Sequence, residues 1–318
     1  MGAGFDHFDG AARRDIGALR DVPATDRDQG AGMRTHSRTS GLPPPASTSV
    51  ALARLHRWLL VVTAVAVLLF LCLPVLIVIP MSFSDSSSLR FPPEGFSMRW
   101  YLQVFTDERW LLAMRTSLLL AALSSTLALV LGGFAAYGIT RGRFAGRELL
   151  QSNFIAPLII PSVVVAVGLY FALAKIGFLG SFAGLLLGHT LLGVPYVVLI
   201  LGVAIRSFDI RIEQVAFTLG ASWFTMFRRV LVPNLLPSTA AAWIFAFVTS
   251  FDEVVITTFI AGTYETVPKR MFNDLVLQVN PSITAIATLL IAVSVGLMAL
   301  AATLIRRGRR RITPPLTS

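Results

Sequence analysis

The sequence predicts an all-α polytopic membrane protein with about six transmembrane helices. Three observations lead to this fold class: the composition, the length of the apolar runs and the distribution of arginine. Of the 318 residues, 55% are hydrophobic and only 14% are charged, and the mean hydropathy is +0.72. A soluble domain needs more charge to cover its surface, whereas a chain surrounded by lipid does not.

Six apolar stretches are long enough to cross a bilayer at about 1.5 Å per residue. They occupy residues 58–80, 112–137, 154–173, 182–205, 235–261 and 283–305. The single cysteine, Cys72, lies inside the first stretch and is expected to be a buried small hydrophobic residue. Prolines within several stretches favour kinks, and kinked helices either line a cavity or pack irregularly.

Arginines recur on one side of the predicted spans. Arg54 and Arg57 precede the first span, RGRFAGRE follows the second, further arginines follow the fourth, and RRGRRR follows the sixth. Because positive charge is retained on the cytoplasmic side, we expect a multi-pass protein of the bacterial cytoplasmic (inner) membrane with both termini in the cytoplasm. The net charge of +10 then reflects membrane topology, and no nucleic-acid partner is expected.

The chain divides into three parts. Residues 1–50 are rich in Gly, Asp, Arg, Ser and Pro and lack apolar periodicity, which predicts a disordered cytoplasmic tail. Residues 51–312 form the transmembrane domain, and residues 313–318 form a short C-terminal tail. The sequence leaves open whether Met1 or Met33 is the true start.

The predicted cytoplasmic loop at 206–233 is far longer than a plain connector needs. Its first half, RIEQVAFTLG, has apolar residues at helical spacing and predicts a short amphipathic helix. We expect Gly220 to stop this helix, Ser222 to cap a second one, and Pro233 to end the second before the fifth span. A membrane-surface helix would not explain the small residues Ala216 and Gly220, which favour close packing against a partner protein.

This loop resembles a known signature. Gln214-Val215-Ala216, three residues, Gly220, nine residues and Val230-Leu231-Val232-Pro233 are similar in type and spacing to the signature loop of permease subunits in bacterial ATP-binding-cassette (ABC) importers. Gln214 stands where the family pattern has an acid, and Glu213 lies one residue earlier. The resemblance extends from about Arg54 to Arg311 and implies the type I (MetI-like) permease fold.

The resemblance also implies partners. A coupling helix would bind a separate ATPase subunit through residues Glu213, Gln214, Val215, Ala216, Gly220, Ala221 and Pro233. ATP and magnesium would be bound by that ATPase, and this chain would bind no cofactor. A second permease subunit forming a heterodimer and an extracytoplasmic solute-binding protein are implied as well. Independently, a P-loop needs Gly-Lys followed by Ser or Thr, and neither Lys175 nor Lys269 follows a glycine. We therefore expect a transport subunit and not an enzyme.

Two acidic residues, Asp252 and Glu253, are expected well within the fifth span, on the translocation path. An ionised side chain there costs about 2.5–3.5 kcal/mol unless it faces a cavity or a partner. An acid would suit a cationic cargo; the alternative is a structural role, bonded to Ser250, Thr249 or a loop amide. The stretch around these two acids, together with the later segment NPSITAIATLLI, is similar to the second permease subunit of spermidine/putrescine importers. Importers of other small solutes share much of this similarity.

Other interpretations stay open. A secondary transporter driven by an ion gradient would predict inverted repeats and would leave the long loop unexplained. An intramembrane enzyme would need paired catalytic groups, for which only Asp252 and Glu253 are available. His189 is expected to pack or to form hydrogen bonds, and no metal site is expected.

Overall fold

A computed structural model of the chain describes residues 47–93, 95–277 and 281–312. The predicted tails lie largely outside these residues, as does Met33. Residues 47–50, which the sequence assigns to the N-terminal tail, already belong to the first helix. In the described part of the chain the regular structure is helical, apart from an isolated antiparallel bridge between Ser84 and Phe96.

Twelve α-helices follow one another in these described residues: α1 (Ser47–Ser82), α2 (Arg99–Thr106), α3 (Glu108–Arg141), α4 (Arg147–Ile159), α5 (Ser162–Lys175), α6 (Phe182–Ser207), α7 (Ile210–Thr218), α8 (Trp223–Met226), α9 (Val232–Phe251), α10 (Val255–Ile260), α11 (Val267–Leu277) and α12 (Ser282–Ile312). A π-helical turn, Phe227–Leu231, joins α8 to α9.

Five helical segments of the described chain are long and apolar enough to cross a membrane. They lie in α1, α3, α6, the continuous segment Trp223–Phe251 and α12. A sixth span is obtained if the bent pair α4 and α5 is counted as one. The predicted all-α, multi-pass fold is therefore confirmed.

The third predicted span is not one straight helix. α4 and α5 meet at an angle of 108°. Ile160 is extended (ψ 133°), and Pro161 follows it with ψ 132° before α5 begins. Proline restricts the preceding residue to extended conformations and has no amide hydrogen to continue the helix, so the break falls at Pro161.

The fifth span is shifted relative to the predicted 235–261: it begins earlier, at Trp223, and ends earlier, at Phe251, and α10 begins only at Val255. We call the three residues between them, Asp252, Glu253 and Val254, the α9–α10 corner. Asp252 and Glu253, expected well within the fifth span, instead follow the end of its helix. Asp252 is the residue that ends α9, and the carboxylate of Glu253 accepts a hydrogen bond from the amide of Ile256 in the first turn of α10 (2.9 Å).

Small residues let α3, α6 and α9 pack closely at the centre of the fold. A Cβ atom placed on Gly193 of α6 would lie 2.9 Å from the Cβ of Ala128 in α3 and 3.3 Å from that of Ala246 in α9. The buried cluster around this contact continues to Met226 and Leu231, and α12 packs on α9. The cluster joins the central helices directly to the loop that contains α7.

The chain divides into two compact units, Met1–Val62 and Thr63–Ser318. In the first, the structure describes the start of α1, where Leu55 and Trp58 are among the exposed residues. In the second, residues 63–74 are exposed throughout, including Cys72. The predicted burial of Cys72 is therefore wrong for this chain, because its apolar surroundings in the sequence are a surface of the fold.

Candidate functional site

The predicted loop helix is present as α7, with the expected ends. The side chain of Asp209 accepts a hydrogen bond from the amide of Arg211 (2.9 Å) and caps the first turn. Gly220 follows the last turn with φ +85°, a left-handed conformation that glycine adopts without steric cost. The hydroxyl of Ser222 accepts from the amide of Thr225 (3.3 Å) and caps α8. The Gly220 and Ser222 predictions are confirmed.

Glu213 lies inside the protein, with only 3% of its surface exposed. Its Oε1 atom is 2.7 Å from Nη2 and 2.9 Å from Nε of Arg141, the last residue of α3. Its Oε2 atom accepts from the hydroxyl of Tyr137 (3.2 Å), and Nη2 of Arg141 also donates to the carbonyl of Phe208 (2.9 Å). These bonds fix α7 to the end of α3.

The opposite side of α7 is apolar and open. Val215 and Leu219 have 55% and 82% of their surface exposed, and Ile212 has 45%. Six of the seven predicted coupling residues divide accordingly: Gln214, Val215 and Gly220 are exposed, Ala216 and Ala221 are half-buried, and Glu213 is buried. The seventh, Pro233, is exposed in the first turn of α9. The structure brings the exposed residues together on one short helix and its end, and it turns Glu213 away from them.

Aromatic side chains support this arrangement. The rings of Trp223 and Phe227 stack at 5.1 Å between centroids, and Tyr137 meets Trp223 edge-on at 5.8 Å. Phe134 stacks on Phe227 at 5.6 Å. The sequence did not reveal Tyr137 and Arg141 as partners of the loop, although their spacing of four residues places them on one face of α3.

Pro233 does not end the second loop helix, contrary to the prediction. The helix continues from Trp223 to Phe251. The amide of Val232 bonds to the carbonyl of Phe227, five residues earlier, which is the π-helical pattern. Because Pro233 lies in the first turn of α9, directly after this wide turn, its missing amide hydrogen does not terminate the helix.

The α9–α10 corner presents its two acids differently. Asp252 is exposed and accepts hydrogen bonds from the hydroxyl of Ser294 in α12, at 3.1 Å and 3.3 Å to its two oxygens. Glu253 is half-buried and is bonded to its own corner through the amide of Ile256. The predicted pair therefore has one exposed member, bonded to α12, and one half-buried member, bonded within its own corner.

A cavity of about 340 Å³ lies beside Asp252. Its other walls come from α11 and α12 and are apolar, with Met271, Phe272, Leu290 and Ile291 among them. Asp252 is the charged residue of this lining. Across the described residues, no three His, Cys, Asp or Glu side chains lie close enough to hold a metal ion. The cavity can bind a ligand that combines one positive group with an apolar body.

A second charged group, which we call the Arg270 cluster, lies at the other end of α3 from Arg141. Arg270 is 3.2 Å from Glu265 and 3.9 Å from both Asp107 and Asp274. Its guanidinium lies 4.7 Å from the ring centroid of Trp110. Burial raises the pKa of the Asp274 carboxyl, and the positive charge of Arg270 opposes that shift.

Beside this cluster, Lys269 is buried. Its Nζ atom donates to the carbonyls of Gly262 and Tyr264, both at 2.9 Å. Burial lowers the pKa of this amine, and the nearby Glu265 carboxylate opposes that shift. Both charged residues at the start of α11 therefore contribute to holding the loop before α11.

Comparison with known proteins agrees with this architecture. The family model of the binding-protein-dependent transport system inner membrane component matches residues 128–311. The chain is 31% identical over 247 residues to the spermidine/putrescine transport system permease protein PotC of Escherichia coli (strain K12), which covers 77% of this chain and 93% of PotC. It is 33% identical over 237 residues to the putrescine transport system permease protein PotI of the same organism, over 72% of this chain and 84% of PotI.

A solved structure has the same fold. A chain of the bacterial alginate ABC transporter, in complex with an alginate pentasaccharide-bound periplasmic protein, aligns with a TM-score of 0.57 over 84% of this chain and 98% of that chain. At 19% identity this likeness concerns the fold alone. The predicted resemblance to ABC importer permeases is thus confirmed by matches that extend well beyond the loop. The chain belongs to the binding-protein-dependent transport system inner membrane component family and is a permease subunit of an ABC importer.

Proposed function

We propose that this permease forms part of the translocation path for a polyamine such as putrescine or spermidine, and that α7 couples this path to a separate ATPase subunit. The observation that carries the coupling proposal is the buried pair of Glu213 and Arg141, because it joins an exposed apolar helix to the end of a membrane-spanning one.

The geometry of α7 supports transmission of force. α7 begins at Ile210, directly after α6 ends at Ser207, and it leads through Gly220 into α8 and α9. The ion pair of Glu213 and Arg141 also connects α7 to α3. A displacement of α7 by a partner therefore acts on three packed helices at once, and packed interfaces change between discrete arrangements more readily than they deform.

The remaining parts of the transporter follow from this role. ATP and magnesium would bind to the ATPase subunit, and this chain would hold no cofactor. A second permease subunit, forming a heterodimer with this one, would complete the path, and an extracytoplasmic solute-binding protein would deliver the cargo. The sequence supports the division of labour, since neither lysine occupies a P-loop context.

The cargo proposal rests on two independent supports. The relatives PotC and PotI carry names that assign them to spermidine/putrescine and putrescine transport. The cavity beside Asp252 offers one carboxylate among apolar side chains. An alkylammonium ion would place its charge at Asp252 and its methylene groups against Met271 and Phe272. We assign Asp252 to the path, and Glu253 to the stability of the α9–α10 corner.

The orientation proposed from the sequence places α7 in the cytoplasm. Arg141, Arg206 and Arg211 lie at this end of the helices, near the loop. Under the positive-inside rule, both termini are then cytoplasmic, the membrane is the bacterial inner membrane, and the Arg270 cluster faces outward.

Uptake of labelled putrescine and spermidine by cells with and without this gene tests the cargo, with unrelated amines and amino acids as competitors. We expect saturable polyamine uptake that depends on the gene. Asp252→Asn should raise the concentration for half-maximal uptake at least about tenfold, since hydrogen bonds to charged groups are worth about 1.5–3 kcal/mol.

Asp274→Asn is the matched control, because this acid lies outside the cavity lining and should leave uptake affinity unchanged. Wild-type affinity in a folded Asp252→Asn complex would contradict the role of Asp252. Uptake of amino acids or anions in place of polyamines would contradict the cargo itself.

A further inference from the structure

Four polar side chains from four helices meet in the apolar interior of the described fold. They are Ser124 of α3, His189 of α6, Ser250 of α9 and Thr257 of α10, and none has more than 4% of its surface exposed. The expectation that His189 forms hydrogen bonds is confirmed. Buried polar groups of this kind are costly unless every one of them is bonded, so their partners define what the cluster does.

Both ring nitrogens of His189 are bonded. Nδ1 lies 2.8 Å from the hydroxyl of Ser250, and Nε2 lies 3.0 Å from the hydroxyl of Thr257. The hydroxyl of Ser124 donates to that of Ser250 (2.9 Å), and the carbonyl of Ala121 is a second, more distant acceptor for it (3.3 Å). The imidazole therefore connects the last turn of α9 with the first turns of α10, across the α9–α10 corner.

The far end of the cluster fixes the direction of every bond. The hydroxyl of Thr257 donates its only hydrogen to the carbonyl oxygen of Glu253 (3.0 Å), so it must accept from Nε2 of His189. A neutral imidazole that donates at Nε2 accepts at Nδ1, and the donor there is Ser250. The chain of donors thus runs from Ser124 through Ser250, His189 and Thr257 to the backbone of the corner.

We propose that His189 is a positioning residue of the permease: it holds the α9–α10 corner, and with it the carboxylate of Asp252, in the place that receives the cargo. This inference rests on the proposed function. His189 does not itself contact the cargo. It acts through Thr257 and the Glu253 carbonyl, and the Glu253 side chain closes the same corner through Ile256.

Two conservative variants separate the two bonds of the imidazole. His189→Gln reaches far enough to donate to Thr257 in place of Nε2. His189→Asn is shorter and can accept from Ser250 in place of Nδ1, but it leaves Thr257 without its donor. His189→Leu removes both bonds. Thr190→Val is the matched control, because Thr190 is a buried hydroxyl on the same helix whose bond goes to its own helix, at Leu186 (2.6 Å).

Uptake kinetics of the complete transporter in cells give the first readout. We expect His189→Asn and His189→Leu to raise the concentration for half-maximal polyamine uptake about tenfold, with the maximal rate per complex little changed, because one hydrogen bond at the corner is lost. His189→Gln and Thr190→Val should stay within about twofold of wild type. Combining His189→Asn with Thr257→Val should be no worse than either alone, because both break the same bond.

Hydrogen exchange of the purified full-length permease complex in lipid nanodiscs gives a readout that needs no cargo. The amides of residues 252–258 should exchange faster in His189→Asn and His189→Leu than in wild type, His189→Gln or Thr190→Val. Equal exchange and equal uptake affinity in all variants would overturn the proposal. So would a loss of assembled protein in His189→Leu and His189→Asn with unchanged affinity and exchange in the complexes that remain.

The two proposals fail separately. If the wild-type transporter takes up no polyamine, the proposed cargo is wrong, and the exchange data still decide whether His189 holds the corner. If polyamine uptake is present and depends on Asp252 but not on His189, only the positioning role is wrong.

Discussion

The two ends of α3 carry two charged groups that are built in opposite ways. At its last residue, Arg141 forms a pair with one acid, Glu213, and the two side chains are 15% and 4% exposed. Just before its first residue, Asp107 belongs to the Arg270 cluster, where one guanidinium is shared among three carboxylates that are 31–42% exposed. The distances differ as well, 2.7 Å in the pair against 3.2–3.9 Å in the cluster.

These differences in burial and distance predict how each end of α3 responds when one charged side chain is removed. In the buried pair, removal of one partner leaves the other as an uncompensated charge in the interior. In the Arg270 cluster, water reaches the carboxylates, and removal of one acid leaves the guanidinium with two others. The α7 end is therefore a rigid joint, and the α11 end is a connection that tolerates substitution.

The largest effect is expected from Arg141→Met. Breaking a buried ion pair from one side costs about 3–5 kcal/mol, so we expect a strong fall in the thermal stability of the purified complex and loss of transport. Exposed Arg143 provides the matched control as Arg143→Met. Adding Glu213→Leu to Arg141→Met should recover much of the stability, since it removes the stranded charge; no recovery would argue against this cause.

Arg270→Met should have the next largest effect, about 1–3 kcal/mol, because it removes a charged hydrogen bond to Glu265, two longer ion pairs and a ring contact but leaves half-exposed acids. Arg109→Met, an exposed arginine in the first turn of α3, is the control. Thermal unfolding of the Arg270 and Arg141 variants under the same conditions ranks the contributions of the two ends of α3 to stability. A greater loss in Arg270→Met than in Arg141→Met would reverse the comparison.

Two glycines test whether the α7 end serves coupling. Gly220 and Gly177 have φ +85° and +77°, and a Cβ atom at either would meet open space. Each Gly→Val variant should therefore cost about 1–2 kcal/mol of backbone strain, and a similar loss of stability is expected for both. Only Gly220→Val should abolish copurification of the nucleotide-binding subunit. Equal copurification in the two variants would remove the evidence for coupling through α7.

The smallest effect is expected from Asp274→Asn. Burial raises the pKa of this carboxyl, so the folded protein holds its proton more tightly than the unfolded chain does. Stability from this group is present below the ordinary carboxyl pKa and is lost as the pH rises through the raised value. At neutral pH the variant should match or slightly exceed wild type, by less than about 1 kcal/mol, and this advantage should vanish at low pH.

Unfolding of wild type and Asp274→Asn between pH 4 and 7 measures this difference. A variant that is less stable than wild type at neutral pH would show that attraction to Arg270 outweighs burial.

Local signals in the sequence were sufficient for part of the site. Gly220 and Ser222 could be placed because left-handed glycine and serine caps depend on nearest neighbours. The membrane-spanning runs could be placed because a bilayer fixes their length. The angle at Pro161 and the turn before Pro233 could not, since a proline interrupts backbone bonding but the packing around it decides how the helix continues.

The partners of the functional residues were harder to predict. Arg141 belongs to a run of arginines that the topology alone explains, so nothing in the sequence distinguishes it from Arg143. The His189 chain joins residues more than sixty positions apart, and no periodicity in one sequence connects them. The end of α9 was misplaced because the apolar residues after Asp252, which form α10, resemble a continuation of α9.

The π-helical turn at Phe227–Leu231 changes the directions of the side chains that follow it in the long fifth helix. A π turn holds one residue more than an α turn, and one residue corresponds to a rotation of about 100°. The hydroxyl of Ser250 is therefore rotated about the helix axis, relative to the aromatic face that begins at Trp223, by an angle that a regular α-helix would not give. Deleting a single residue such as Val230 would remove this rotation. One end of the helix would then turn away from the helices that it packs against, although the sequence of both ends would be unchanged.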